Sequence, residues 1–211
     1  MCAEPLLTCP PVALHLLAKA PLPGHAKTRL IPRLGKLGAA DAHAELVRAC
    51  VATACRAFPP HQVTLWTALE HEHPLFIALH QQYGIALKPQ PEGDLGARMR
   101  HALSATPGPA MVVGSDCPSI TPALLHLCAA QLADHQVVML PAEDGGYGLI
   151  GTQEDTPTLF RDMPWGSEHV LAETRARLTA CGLTAAYPAT VWDVDRPEDW
   201  QRWQRLRRLQ T

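Results

Sequence analysis

The chain has 211 residues, 47% of them hydrophobic, and a formal net charge of −2. That is enough apolar material for one full core, which excludes wholesale disorder. The near-neutral balance gives no global drive toward nucleic acid or an acidic membrane surface. Seven cysteines are scattered with no C-x-x-C pair, which fits reduced thiols better than a disulfide framework or a zinc site. Pro5, Pro10 and Pro11 interrupt the first apolar stretch, which also lacks a basic start, so it does not read as a signal peptide. No apolar run reaches membrane-spanning length. The expectation is a single cytoplasmic domain over 1–211 that binds neither nucleic acid nor membrane.

In chain order, Val12 to Ala18 is a short apolar run that reads as a buried strand. A loop rich in Pro, Gly and basic residues follows from Lys19 to Leu34. Helical spacing then runs from Ala39 to Phe58. Val63 to Ala68 is the second strand and Leu75 to Gln82 the second helix, with His71-Glu72-His73 between them as solvated surface. A short strand, Ile85 to Leu87, leads into Gln90-Pro91-Glu92-Gly93. Asp94 to Ala105 is helical, with Leu95, Met99 and Leu103 on one face. Ala110 to Gly114 is the fourth strand. Thr121 then caps a helix opened by Pro122 and reaching about Ala133. Val137 to Pro141 and Tyr147 to Gly151 are strands. Ser167 to Leu178 is helical with Gly182 as its stop, and Leu183 to Tyr187 is a late strand. Pro197 opens a last helix whose basic tail, Arg202 to Arg208, reads as a solvated face. Strands alternating with helices predict a three-layer α/β/α sandwich with a mixed, mostly parallel sheet. The break after Gly151 predicts the antiparallel excursion.

Five stretches carry candidate chemistry. In the first, Lys19 to Leu30, Gly24 allows a tight turn while Lys19, Lys27 and Arg29 can converge on a polyphosphate. It is neither a Walker A loop nor a G-x-G-x-x-G fingerprint, and a plain basic surface loop weighs about equally. In the second, Gly93 and Gly96 bracket a helix start whose N–H groups can face a phosphate. Asp94 there is a candidate N-cap and Arg98 a candidate phosphate or base contact. The third is Gly114-Ser115-Asp116-Cys117-Pro118, which places Asp116 at the carboxyl end of a buried strand. Open α/β sheets bind ligands there, and a carboxylate can hold a divalent metal against a phosphate.

The fourth, Glu143-Asp144-Gly145-Gly146-Tyr147, is an Asp-Gly hairpin turn or an approach for an acceptor. Trp165, in a Pro/Gly loop of its own, reads equally as a pocket wall or as a core plug under that loop. The fifth is Asp193-Val194-Asp195-Arg196-Pro197-Glu198-Asp199. Alternation puts Asp193 and Asp195 on one side, so either carboxylate can stand opposite Asp116.

The ordered set spans nearly the whole chain: Ala18-Lys19-Ala20-Pro21 with Lys27-Thr28-Arg29-Leu30, then Gly93-Asp94-Leu95-Gly96 with Arg98-Met99, Gly114 to Pro118, Pro141 to Tyr147, and Asp193 to Asp199. It resembles a bacterial family of small glycosyltransferases with the nucleotide-diphospho-sugar transferase (GT-A) fold, often encoded near radical-SAM proteins. More distantly it is similar to the guanylyltransferases that act on phospholactate and on molybdenum cofactor. The resemblance implies a transferase using a nucleotide sugar or an NTP, with Mg²⁺ or Mn²⁺ bound by Asp116 and with Asp195 the favoured partner. It also implies a nucleotide over the loop from Lys19 to Arg29, and a small-molecule acceptor. Nucleotidyl transfer with release of pyrophosphate is the alternative chemistry. A non-catalytic nucleotide-binding domain is the alternative of another class. Arg196 stands where the family has a capping Thr, so a cap is expected to be missing there.

Overall fold

The computed structural model describes residues 11–209. The expectations for Pro5, Pro10, Cys2 and Cys9 lie outside them. The elements are β1 (Ala13–Lys19), α1 (Ile31–Ala57), β2 (Val63–Ala68), α2 (Pro74–Tyr83), β3 (Ala86–Pro89), α3 (Leu95–Leu103) and β4 (Ala110–Gly114). They continue with α4 (Pro122–Gln131), β5 (Val137–Pro141), β6 (Tyr147–Thr152), α5 (Val170–Ala180), β7 (Ala185–Ala186) and α6 (Pro197–Leu209).

Seven strands form one sheet in the order β3-β2-β1-β4-β6-β5-β7. Six strands run parallel, and β6 is antiparallel to both β4 and β5. The predicted mixed α/β/α architecture is what forms. The antiparallel excursion, however, is β6 itself, which precedes the expected break: the Asp144-Gly145 turn folds β6 straight back on β5.

Alternation along the strands explains the layers. Leu14 and Leu16 of β1 point to one face, where Val47 and Val51 of α1, Phe76 and Leu79 of α2, and Leu125 and Cys128 of α4 cover them. Val112 of β4, Met139 of β5 and Ile150 of β6 point to the other, under Met99 and Ala102 of α3 and Leu178 of α5. Each fully buried side chain of this kind contributes about 1.5–3 kcal/mol. A third cluster joins Leu30, Ala39 and Leu46 to Trp192, Trp200 and Trp203, so α6 docks on the start of α1. Among the described residues no helix is long and apolar enough to cross a membrane.

Several boundaries differ from the sequence reading for local reasons. The loop expected to reach Leu34 ends earlier, because Pro32 sits in the first turn of α1, and Gly35, at φ 71°, kinks the helix beyond it. α5 begins at Val170, since Ser167 N–H is taken by Pro164 O in a turn. His73 is not merely solvated: its Nδ1 accepts from Leu75 N–H at 3.2 Å and caps α2. Leu95 does not join the buried face of Met99 and Leu103; it is 46% exposed. The basic tail is tied down as well. Arg202 pairs with Glu143 and stacks on Trp192, and Arg207 pairs with Glu45 and stacks on Trp203.

Candidate active site

The sheet changes crossover direction between β1 and β4, and the crevice there lies outside their carboxyl ends. A cleft of about 620 Å³ occupies that position. Asp116 follows β4 directly. Gly114 makes room for it, since a Cβ at Gly114 would stand 2.8 Å from Asp116 Oδ1.

Lys27 reaches Asp116 from the basic loop, with Nζ 2.9 Å from Oδ2. The Lys27 side chain is 8% exposed, whereas the carboxylate, at 37%, opens toward the cleft. Lys27 holds a left-handed backbone, φ 46° and ψ 48°, which costs a non-glycine residue about 1 kcal/mol. Its ion pair and the Leu30 N–H bond to its carbonyl hold it there. Burial alone would lower the Lys27 pKa, but Asp116, with Asp195 and Asp193 behind it, leaves it raised. Burial likewise works against the Asp116 carboxylate, and Lys27 outweighs it, so Asp116 titrates below its ordinary value.

The segment before α6 is zipped onto this corner. Val194 N–H donates to Asp116 O at 2.9 Å. Ser119 Oγ accepts from Trp192 N–H at 3.1 Å and donates to Trp192 O at 3.2 Å. Asp193 and Asp195 both line the cleft, as alternation predicts. Their surroundings differ. Asp195 is paired with Arg29. Asp193 has its pKa pushed up to about 6, first by burial and then by the carboxylates of Asp116 and Asp144. The cap expected to be missing at Arg196 is supplied from inside the helix: Asp199 Oδ2 accepts from Arg196 N–H at 2.8 Å and from Asp195 N–H at 3.2 Å.

Other expected site residues divide into two groups. Lys19, Lys27, Arg29, Arg98, Asp116, Asp144, Gly146, Tyr147, Trp165 and Asp195 all line the cleft. Gly24, Gly93, Asp94, Gly96 and Gly145 do not, and each has a structural task. Gly24 and Gly93 adopt φ 83° and 114°. Asp94 Oδ1 caps α3 by accepting from Ala97 N–H at 2.8 Å. Gly96 lies under the far loop, where a Cβ would stand 2.5 Å from Phe160 O and 2.6 Å from the Trp165 ring. Gly145 lies under the approach to α5, where a Cβ would stand 2.3 Å from Glu168 O.

Gly96 therefore seats Trp165, and Tyr147 meets it edge-on at 6.3 Å. Two lining residues escape a reading of motifs. His43, 6% exposed on α1, holds Lys19 O through Nε2 at 3.0 Å, and burial lowers its pKa. Gln90 stands just after β3, at the strand edge where ligands bind, and that position was its available signal.

Among the described residues no group of three His, Cys, Asp or Glu side chains could hold a metal ion unaided. A hard cation such as Mg²⁺ nevertheless needs only one or two carboxylates when phosphate oxygens and water complete its shell. The all-oxygen donors Asp116 and Asp193, with Asp144 adding negative charge, suit such an ion.

Comparison with solved structures gives the class of fold, that of the nucleotide-diphospho-sugar transferases. A protein from Desulfovibrio desulfuricans G20, provisionally assigned to those transferases, superposes with a TM-score of 0.74 at 24% identity, covering 88% of this chain and 82% of that one. A nucleotidyl transferase from Methanothermobacter matches with a TM-score of 0.64 at 16% identity, covering 92% and 97%. CMP:2-keto-3-deoxy-manno-octonic acid synthetase, in complex with CTP, matches with a TM-score of 0.63 at 12% identity, covering 96% and 100%. Residues 51–167 match the family described as "Uncharacterized protein conserved in bacteria (DUF2064)", and the chain belongs to that family. No curated protein matches it in sequence.

Proposed function

We propose that the protein is a metal-dependent transferase that takes a group from an activated nucleotide and passes it to a small-molecule acceptor. The observation that carries this reading is the Lys27–Asp116 pair at the floor of the cleft, flanked by Asp193 and by the Arg29–Asp195 pair. Opposite charges held side by side in one crevice suit a substrate that brings both a polyphosphate and a divalent cation. Asp116 would hold Mg²⁺ or Mn²⁺. Asp193 is the better second ligand, since it lines the cleft and feels the Asp116 carboxylate, while Asp195 is committed to Arg29. Held there, such an ion would supply Lewis-acid charge to offset the negative charge that develops on the leaving group.

Lys19, Lys27 and Arg29 supply fixed positive charge for the phosphates, and Arg98 adds to it from α3. Lys27 changes partner in this scheme, from the Asp116 carboxylate to substrate oxygen. Tyr147 and Trp165 wall the acceptor side and exclude water, with Asp144 and Gly146 shaping its rim. Glycosyl transfer is the chemistry that the family resemblance implies. Nucleotidyl transfer is the second reading, favoured by the four cationic side chains on one cleft, which match a triphosphate.

Product analysis tests the proposal. The protein is incubated with each NTP or nucleotide sugar and candidate acceptors, with and without Mn²⁺. Nucleoside diphosphate release marks glycosyl transfer, and pyrophosphate release marks nucleotidyl transfer. Metal-dependent binding without turnover across acceptors would return the chain to a binding domain.

A further inference from the structure

His43 stands where α1 passes the ends of β1 and β4. Its Nε2 lies 3.0 Å from Lys19 O, at the end of β1. Two turns further along α1, Cys50 Sγ donates to Gly114 O, at the end of β4. A carbonyl oxygen only accepts, so Nε2 carries the proton and Nδ1 is a bare acceptor. That Nδ1 is buried and has no hydrogen-bond partner among the described residues. The ring is 6% exposed, yet it lines the cleft. An unpaired acceptor in such a place is costly. The charged groups that act on the ring are Lys27, Asp116 and Lys19. Burial first, and then the two ammonium groups, lower its pKa against the opposing pull of Lys19 O and Asp116, so the ring is neutral. Lys27 can supply what Nδ1 lacks. An ammonium group has three N–H donors, and among the described residues the Lys27 hydrogen bond goes to Asp116 alone. With its side chain 8% exposed, water cannot replace Asp116 around it.

We propose that His43 is a positioning residue for the basic loop: its Nε2–H holds the Lys19 carbonyl, and its Nδ1 accepts from the Lys27 ammonium once a bound cation takes Asp116. This rests on the reading of the cleft as a site for a polyphosphate with a divalent cation. A cation on Asp116 leaves the buried Lys27 without its hydrogen-bond partner. Nδ1 then becomes the partner, and the orphaned acceptor and the displaced donor satisfy each other. The neutral ring suits this task. A carboxylate in its place would hold Lys27 as an ion pair, in competition with the phosphate. An imidazole steadies the ammonium and leaves its charge to the substrate. Through Lys19 O the same ring fixes where the basic loop leaves β1.

The test is nuclear magnetic resonance of the isotopically labelled full chain, titrated with Mg²⁺ and tripolyphosphate. In the ligand-free protein His43 is expected as the Nε2-protonated tautomer with an unbonded Nδ1. Addition of Mg²⁺ and tripolyphosphate should move the Nδ1 nitrogen resonance to that of a hydrogen-bonded acceptor. It should also bring up a nuclear Overhauser contact between the Lys27 ε-methylene and the ring Hε1. Tripolyphosphate offers acceptors, so the donor has to come from the protein. A ring that only braced the loop would show neither change. His43→Gln keeps an N–H for Lys19 O and loses Nδ1. It should bind tripolyphosphate with Mg²⁺ about tenfold more weakly, which corresponds to the loss of one hydrogen bond to a charged group.

Tripolyphosphate bound with the Nδ1 resonance unmoved would overturn the role of His43 alone. So would a moved resonance without the Lys27 contact, which would name another donor of the cleft such as the Ser115 hydroxyl. Unweakened binding by His43→Gln would do the same. If that variant fails to fold, the resonances of the unmutated protein decide the matter. Failure of tripolyphosphate with Mg²⁺ to bind the unmutated chain would overturn the polyphosphate reading of the cleft and this inference with it.

Discussion

At the scale of single residues, burial and the neighbouring carboxylates of Asp116 and Asp144 all work against the charge of Asp193. Its folded pKa of about 6 lies above the ordinary 3.8, so the folded chain holds this proton more tightly than the unfolded chain. Stability contributed by that proton is present below about pH 4 and is lost as pH rises toward 6 and beyond. The metal-free protein should therefore lose melting temperature, relative to Asp193→Asn, between pH 5 and pH 7.5. Identical pH dependence in the two proteins would remove the strained carboxylate from the argument. Adding Mn²⁺ at pH 7.5 should recover the loss in the wild type and not in the variant. Asp116→Asn has two expected effects. It leaves the 8%-exposed Lys27 without its main counter-charge and so costs about 1–3 kcal/mol in chemical denaturation. It also abolishes metal-dependent turnover while the far-UV spectrum stays native, whereas full metal dependence in that variant would refute the role given to Asp116.

At the scale of elements, the cleft depends on close approaches that only glycine permits. Gly96→Ala would drive a methyl group into Phe160 O and the Trp165 ring, so α3 or the Trp165 loop must move. A loss of about 1–3 kcal/mol in urea denaturation is expected, with weaker acceptor binding and nearly unchanged tripolyphosphate binding. Equal loss at both subsites would show that Gly96 serves the whole cleft instead. The same region marks the boundary of what a linear reading reaches. β2, β4 and β5 could be read residue for residue, because apolar runs with turn signals on both sides have few alternatives. Gly96 and Gly145 read as backbone facing a ligand, yet they face Phe160 and Glu168, dozens of residues away in one case. Glycine in a motif indicates that something comes close, without indicating what. β7 shrinks to Ala185–Ala186 because its pairing is limited to the edge of β5.

At the scale of the whole molecule, α6 holds the site together from outside. Trp200 and Trp203 pack with Trp192 against Leu30, Ala39 and Leu46, so one cluster fixes both the end of the basic loop and the segment bearing Asp193 and Asp195. Arg202 and Arg207 tie the same helix to Glu143 and Glu45. Trp203→Ala should cost about 3–5 kcal/mol and weaken nucleotide binding, although Trp203 is no part of the cleft. Denaturant titration alongside the binding assay checks both. Loss of stability with intact binding would separate the cluster from the site.

The sequence by itself determined the α/β class, the order of the strands along the chain, and the presence of a basic loop and a strand-end carboxylate. These follow from periodicity, turn chemistry and residue type, which are local properties. Only the tertiary structure decided which groups meet. Lys27 lies 89 positions from Asp116, and Arg29 lies 166 from Asp195. Whether Asp193 or Asp195 stands free beside Asp116 depends on which one an arginine has already taken. Charge pairing acts through space, and the chain brings those charges together only by folding.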